Sequence, residues 1–152
     1  MRIREILEDD HNSALADTGF WGRKAAGCLF YAKSTKRFLI AHRSDGVQEP
    51  NTWGTWGGAI DRGEKPEDTV RREVTEEAGY RGGYTLVPLW VFRHPSGFQY
   101  FNFLAIVEDE FDPLLDWENQ GFKWVEYGDW PTPLHPGFSA LIKNDPTLIN
   151  YK

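Results

Sequence analysis

Residues 58–80 read GAIDRGEKPEDTVRREVTEEAGY, and this stretch decides how the rest of the chain is read. Pro66 stands where a first helical residue belongs, and Glu67 and Asp68 follow it in the first turn, where acidic groups complement the helix dipole. The spacing predicts a helix from Pro66 to about Ala78, with Gly79 as its stop. Glu73, Glu76 and Glu77 are three and four residues apart, which places their carboxylates on adjacent turns of one face. Val70, Val74 and Ala78 recur every four residues on another face and are the candidates for packing inward. Like-charged neighbours on an exposed helix repel by roughly 0.2–0.5 kcal/mol per pair. Arg71 and Arg72 offset part of this. A divalent cation would offset it further and use the oxygens as ligands, and an oxygen-only donor set suits Mg²⁺ or Mn²⁺ rather than Zn²⁺. Taken alone, the helix reads more simply as a solvated charged face.

The flanking residues change that balance. Gly57-Gly58 precedes the helix, Glu64 follows Gly58 after five residues, and Arg72-Glu73 follows Glu64 after seven. Val74, Glu76-Glu77, Gly79 and Tyr80 complete the pattern. Each single-type position is met by chance roughly one time in fifteen, so the joint match is not accidental. The segment resembles the Nudix box, with Tyr80 in place of the usual aliphatic residue and Trp56 where the family often has Pro. The resemblance implies an α/β fold, an α/β/α sandwich around a mixed sheet, and a Mg²⁺-dependent hydrolase of diphosphate linkages, with Mn²⁺ as a substitute. It implies that Glu73, Glu76 and Glu77 bind the metal, joined by a backbone carbonyl of Gly57 or Gly58. It implies that Arg72 orients Glu73 and that Glu64 holds the loop to the helix, by bonding Arg72. The general base varies in the family. Glu73 is one candidate, and Glu118, just before a predicted strand, is another; Glu108, Asp109, Glu110 and Asp116 compete with it.

Outward from the box, two apolar runs at Ala25–Ala32 and Arg37–His42, separated by Lys33 to Lys36, predict a hairpin. Residues 44–52 form a loop, and Trp53 to Ile60 a short Gly-rich strand segment. Two β-rich runs, 84–93 and 98–107, joined by His94-Pro95-Ser96-Gly97, predict a second hairpin. An acidic stretch from Glu108 to Glu118 leads to a strand at Phe122–Tyr127. A final helix is expected over about 136–144, closed by Asp145-Pro146. One domain spans 1–152, with a polar lead-in over 1–23 and a core at about 25–145.

Candidate substrate contacts lie outside the box. Arg43 follows an apolar strand and is a candidate for a substrate phosphate, against a surface arginine. Trp53 and Trp56 flank Gly54 and are candidates for stacking on a base, against simple packing. Pro95 lies fifteen residues beyond the box, where family members acting on ADP-ribose often carry Pro; this leans the substrate toward ADP-ribose-like compounds, although the turn itself also explains a Pro. His11, His42, His94 and His135 show no metal-ligand spacing.

Composition bounds the rest. The 152 residues suit one core, and ten Phe, seven Trp and six Tyr can fill it although only 40% of the chain is hydrophobic. The net charge of −6 argues against an extended nucleic-acid footprint but leaves room for a small nucleotide substrate. Cys28 is the lone cysteine, which excludes an internal disulfide and a cysteine zinc cluster; its apolar setting predicts a buried thiol. No apolar run reaches the ~20 residues of a membrane span, so a cytoplasmic protein, monomer or homodimer, is expected. The competing function is a Nudix-fold module that senses a nucleotide without cleaving it. Such modules usually lack box glutamates or the arginine, and all are present here.

Overall fold

A computed structural model describes residues 24–152; the polar lead-in over 1–23 lies outside the described residues. The elements follow in the order β1 (Lys24–Ala32), β2 (Arg37–Arg43), β3 (Trp53–Gly54), β4 (Trp56–Ala59), α1 (Pro66–Glu76), β5 (Thr85–Arg93), β6 (Gln99–Val107), β7 (Asn119–Glu126) and α2 (Pro136–Asn144), with a 3₁₀ turn at Leu148–Tyr151. The strands form one seven-stranded mixed sheet.

β1 is the hub, and its sequence shows why. Eight of its nine residues are buried, as expected of a strand covered on both faces. Ala26, Cys28, Phe30 and Ala32 pack toward Val70, Val74 and Ala78 of the α1 segment. Leu29 and Tyr31 point the other way, toward Phe138 and Leu141 of α2 and Leu148 beyond it. This period-two alternation builds two cores on one sheet, the sandwich the resemblance implies. Aromatic rings supply much of the bulk: Phe30 meets Trp56, Tyr80 and Phe111 edge-on at centroid distances of 6.2, 6.1 and 5.1 Å.

The sheet forks at β1. One edge of β1 pairs in parallel with β6 along its whole length, Lys24 with Gln99 through Ala32 with Val107. Its other edge is shared. The first half, Ala25 to Cys28, pairs with β4, and the last residues, Phe30 to Ala32, pair with β2. β2 then leaves β1 and continues with β3 and β7 as its partners. β4 and the β2–β3–β7 group are therefore two prongs diverging from one strand.

Several expected boundaries move. The segment Trp53 to Ile60 is two short strands on different prongs, split at Thr55. The strand expected from Phe122 starts at Asn119, because β2 is long enough to pair back to it. β5 carries Pro88 at a point where its register with β6 shifts, a position an edge strand tolerates. There the Trp90 N–H donates to Asp145 Oδ2 at 2.6 Å, tying the end of α2 to the sheet. Among the described residues, no helix is long and apolar enough to cross a membrane.

Candidate active site

The loop before α1 is held by Arg72, which pairs with Glu64 and also lies 3.4 Å from Asp61. Arg72 donates through Nε to Glu64 Oε2 at 3.1 Å and through Nη2 to Glu64 Oε1 at 2.9 Å, a two-pronged contact that is strong because guanidinium and carboxylate match in shape. Nη2 also reaches the Ala59 carbonyl at 3.1 Å, so the arginine stitches β4, the loop and the helix together. Glu64 Oε1 accepts in addition from Asp61 N–H and Thr69 Oγ1, both at 2.9 Å. The Arg72 hydrogen bonds, helped by those two donors, outweigh the effect of burial and hold the Glu64 carboxyl down at about 2.

That value has a measurable consequence. A carboxylate whose pKa is lowered by folding adds stability above its unfolded value and loses it as pH falls through the folded one. The Glu64 contribution should be complete above about pH 4.5 and should fade toward pH 2. One pH unit is worth about 1.4 kcal/mol, so the whole effect is about 3 kcal/mol at most. Urea unfolding of the parent and of Glu64→Gln between pH 6 and 2.5 checks it. The stability gap between the two should narrow on acidification; a gap that stays constant refutes the assignment.

α1 presents the three acids of the box unequally. Its start is set by Pro66 and by Asp68, whose side chain accepts from Lys65 N–H at 3.0 Å. Its end is set by Gly79 at φ +65°, a conformation glycine adopts without strain, and a Cβ there would also lie 2.7 Å from Leu114. Between these limits Glu73 is buried and Glu76 is 58% exposed at its side chain, and each has an oxygen near Arg72 Nη1, at 3.4 and 3.5 Å. Glu77 is different. It is 3% exposed, and its Oε1 accepts from Gly57 N–H on β4 at 2.7 Å. Its Oε2 lies 3.4 Å from Asn119 Nδ2 on β7. Glu77 thus spans the fork, one oxygen on each prong.

The other predicted residues divide. Gly57 and Gly58 lie opposite Gly27 and Ala26 of β1, beside Glu77. Glu118 is buried at the head of β7, its N–H on Asp116 Oδ1 at 2.9 Å and its carbonyl on Ser44 N–H at 2.9 Å. Trp56 does not face a substrate: it is fully buried under α1, with Nε1 donating to the Leu39 carbonyl at 3.2 Å. Arg43 is not a surface residue either. It is fully buried, and its guanidinium donates to the carbonyls of Gln48 and Glu49, clamping the 44–52 loop. Trp53 is half-buried, with its ring stacked on His42 at 4.1 Å. Pro95 is exposed at the hairpin tip. Cys28 is buried as expected, and desolvation, with Glu77 and Glu73 nearby, pushes its thiol well up. Asn119 escaped the sequence reading altogether.

The donors around the fork suit a hard cation. They are carboxylate, amide and backbone oxygens, and Asn119 Oδ1 is buried with no hydrogen-bond partner among the described residues. Among the described residues, no three acidic, histidine or cysteine side chains converge on one point.

A family model, the NUDIX domain, matches residues 21–144. The chain belongs to the Nudix hydrolase family. A protein of Mycobacterium tuberculosis named "Putative 8-oxo-dGTP diphosphatase 3" is 32% identical to this hydrolase, over 90% of this chain and 69% of that one. A protein of an Enterobacter species named "Nucleoside triphosphatase NudI" is 43% identical over a shorter span, 43% of this chain and 47% of that one. Among solved structures, the Nudix hydrolase RenU of M. smegmatis superposes with a TM-score of 0.68 at 28% identity, covering 82% of this chain and 84% of that one.

Proposed function

We propose that this Nudix hydrolase cleaves the diphosphate linkage of a nucleoside diphosphate joined to another group, using Mg²⁺, which Mn²⁺ can replace. The observation that carries the reading is Glu77, a carboxylate fixed across the fork by Gly57 on one prong and Asn119 on the other. Glu73, Glu76 and Glu77, with a carbonyl of Gly57 or Gly58, would hold the cation. When bound, the cation supplies positive charge against the phosphoryl oxygens and makes water more acidic. The pair of Arg72 and Glu64 keeps the loop and Glu73 in place. Glu73 and Glu118 are the two carboxylates suited to remove the proton of the attacking water; Glu118 is set in position by Asp116 and Ser44.

The group beyond the diphosphate is best read as a further phosphate, a nucleoside triphosphate substrate. The names of the two relatives support this. ADP-ribose is the second reading. It rests on Pro95 alone, and an exposed turn explains that residue equally well.

A panel assay tests both. The protein is incubated with dGTP, 8-oxo-dGTP, ADP-ribose, a dinucleoside polyphosphate and a sugar nucleotide, with Mg²⁺, with Mn²⁺ or with EDTA, and products are separated by ion-exchange chromatography. Cleavage of a triphosphate should appear with either cation and vanish with EDTA. Faster cleavage of ADP-ribose would favour the second reading. No turnover of any compound with either cation would remove both.

A further inference from the structure

The prong opposite Gly57 is shaped by a bulge. β2 and β7 pair regularly until His42 lies opposite Gly121, but the next residue, Arg43, lies opposite Asn119. Gln120 is therefore an extra residue in β7, and its side chain turns to the Arg43 carbonyl and Asn51 Oδ1, both at 2.7 Å. A bulge of this kind re-aims the side chain next to it. Residues paired across an antiparallel ladder share a face. On β2, Leu39 and Ala41 face the core under α1, so Arg43 and its partner Asn119 face α1 too. Without the bulge, Gln120 would occupy that place and Asn119 would point away.

The re-aimed side chain is almost wholly enclosed, 3% exposed. Its Nδ2 points to Glu77 Oε2, 3.4 Å away. Turning the amide over would set its oxygen against a carboxylate, acceptor facing acceptor, so the nitrogen belongs on that side. Its Oδ1 is then left in a buried position with no hydrogen-bond partner among the described residues. Buried polar atoms are nearly always paired, and one that is not calls for an explanation.

We propose that Asn119 is a positioning residue for the cation site: it fixes the second oxygen of Glu77 and offers Oδ1 as an acceptor to the water held around the ion. This rests on the metal reading above. It also gives the bulge a purpose, since pairing alone would be better without it. A merely structural asparagine would behave differently. Its replacement would cost stability, because the buried Glu77 oxygen would lose its donor, and would leave cation binding unchanged.

The experiment uses Mn²⁺ alone as the probe. Free Mn²⁺ is counted by electron paramagnetic resonance during titration of the parent and of Asn119→Leu, and the metal-free melting temperature of each is recorded. The folded variant should bind Mn²⁺ about 10–100-fold more weakly than the parent, as happens when a partner of a metal ligand is removed. Where leucine disturbs the fork and lowers the melting temperature, Asn119→Ala, which only deletes atoms, carries the same comparison. Mn²⁺ binding within twofold of the parent in a folded variant overturns the role of Asn119 and leaves the hydrolase reading intact. Failure of the parent itself to bind Mn²⁺ overturns the metal reading, and this inference with it.

Discussion

Glu77→Gln should lower turnover of the cleaved nucleotide by more than about 100-fold while leaving the protein as stable as the parent or more so. The size follows from comparison: removing a group that only supports a metal ligand costs about 10–100-fold, and Glu77 is proposed as a ligand itself. The substitution keeps the shape of the side chain but takes away its charge. Its oxygen can still accept from Gly57 N–H, and its NH₂ group can pair with Asn119 Oδ1 once that amide turns over. Stability should not suffer, because a nearly buried charge disappears together with its repulsion from Glu73, four residues earlier on the helix. Steady-state kinetics at saturating Mg²⁺ and a thermal melt without metal measure the two halves. Activity near that of the parent would remove Glu77 from the site. A collapse of the melting temperature would show instead that the carboxylate holds the fork together.

The box and its surroundings were unequally legible in the sequence. The helix from Pro66 and the inward stripe of Val70, Val74 and Ala78 are local, set by dihedral preference and a period of 3.6, and they appear where the sequence places them. The helix nevertheless ends at Glu76, two residues short of Ala78, before the turn at Gly79. Both hairpins are local in the same sense, closed by connections of four and five residues. The contact of Glu64 with Arg72 spans only eight residues and was reachable through the resemblance. What could not be read was the fork. It depends on β1 sharing one edge between β4 and β2, a pairing between segments far apart in the chain. Asn119 illustrates the loss. Glu118 beside it attracted notice as an acid, whereas an asparagine at the start of a strand carries no signal until the bulge at Gln120 turns it toward Glu77. Arg43 failed for a related reason. Nothing in the sequence says that the loop after it folds back and buries the guanidinium under two carbonyls.

Trp56 is the case in which composition misleads most directly, and it sets the largest expected effect on stability. Trp53 and Trp56 stand on either side of Gly54-Thr55, so by sequence they are equivalent. They sit on different prongs, however, β3 and β4. β4 lies against β1 beneath α1, and the Trp56 ring fills the space between Phe30 and the helix, with no exposed surface. Truncating a buried aromatic of this kind costs about 3–5 kcal/mol, from a total that for a domain of this size is about 5–15 kcal/mol. Trp56→Ala should therefore melt far below the parent or fail to fold. Trp56→Phe should keep most of the packing and lose chiefly the hydrogen bond to the Leu39 carbonyl, a change of about 1–3 kcal/mol for a buried acceptor left alone. In the folded phenylalanine variant KM for the nucleotide should stay near that of the parent, because the ring never meets substrate. Urea denaturation of both variants, with KM measured on Trp56→Phe, decides the matter. A small stability change with a large rise in KM would return Trp56 to the substrate site and refute its burial.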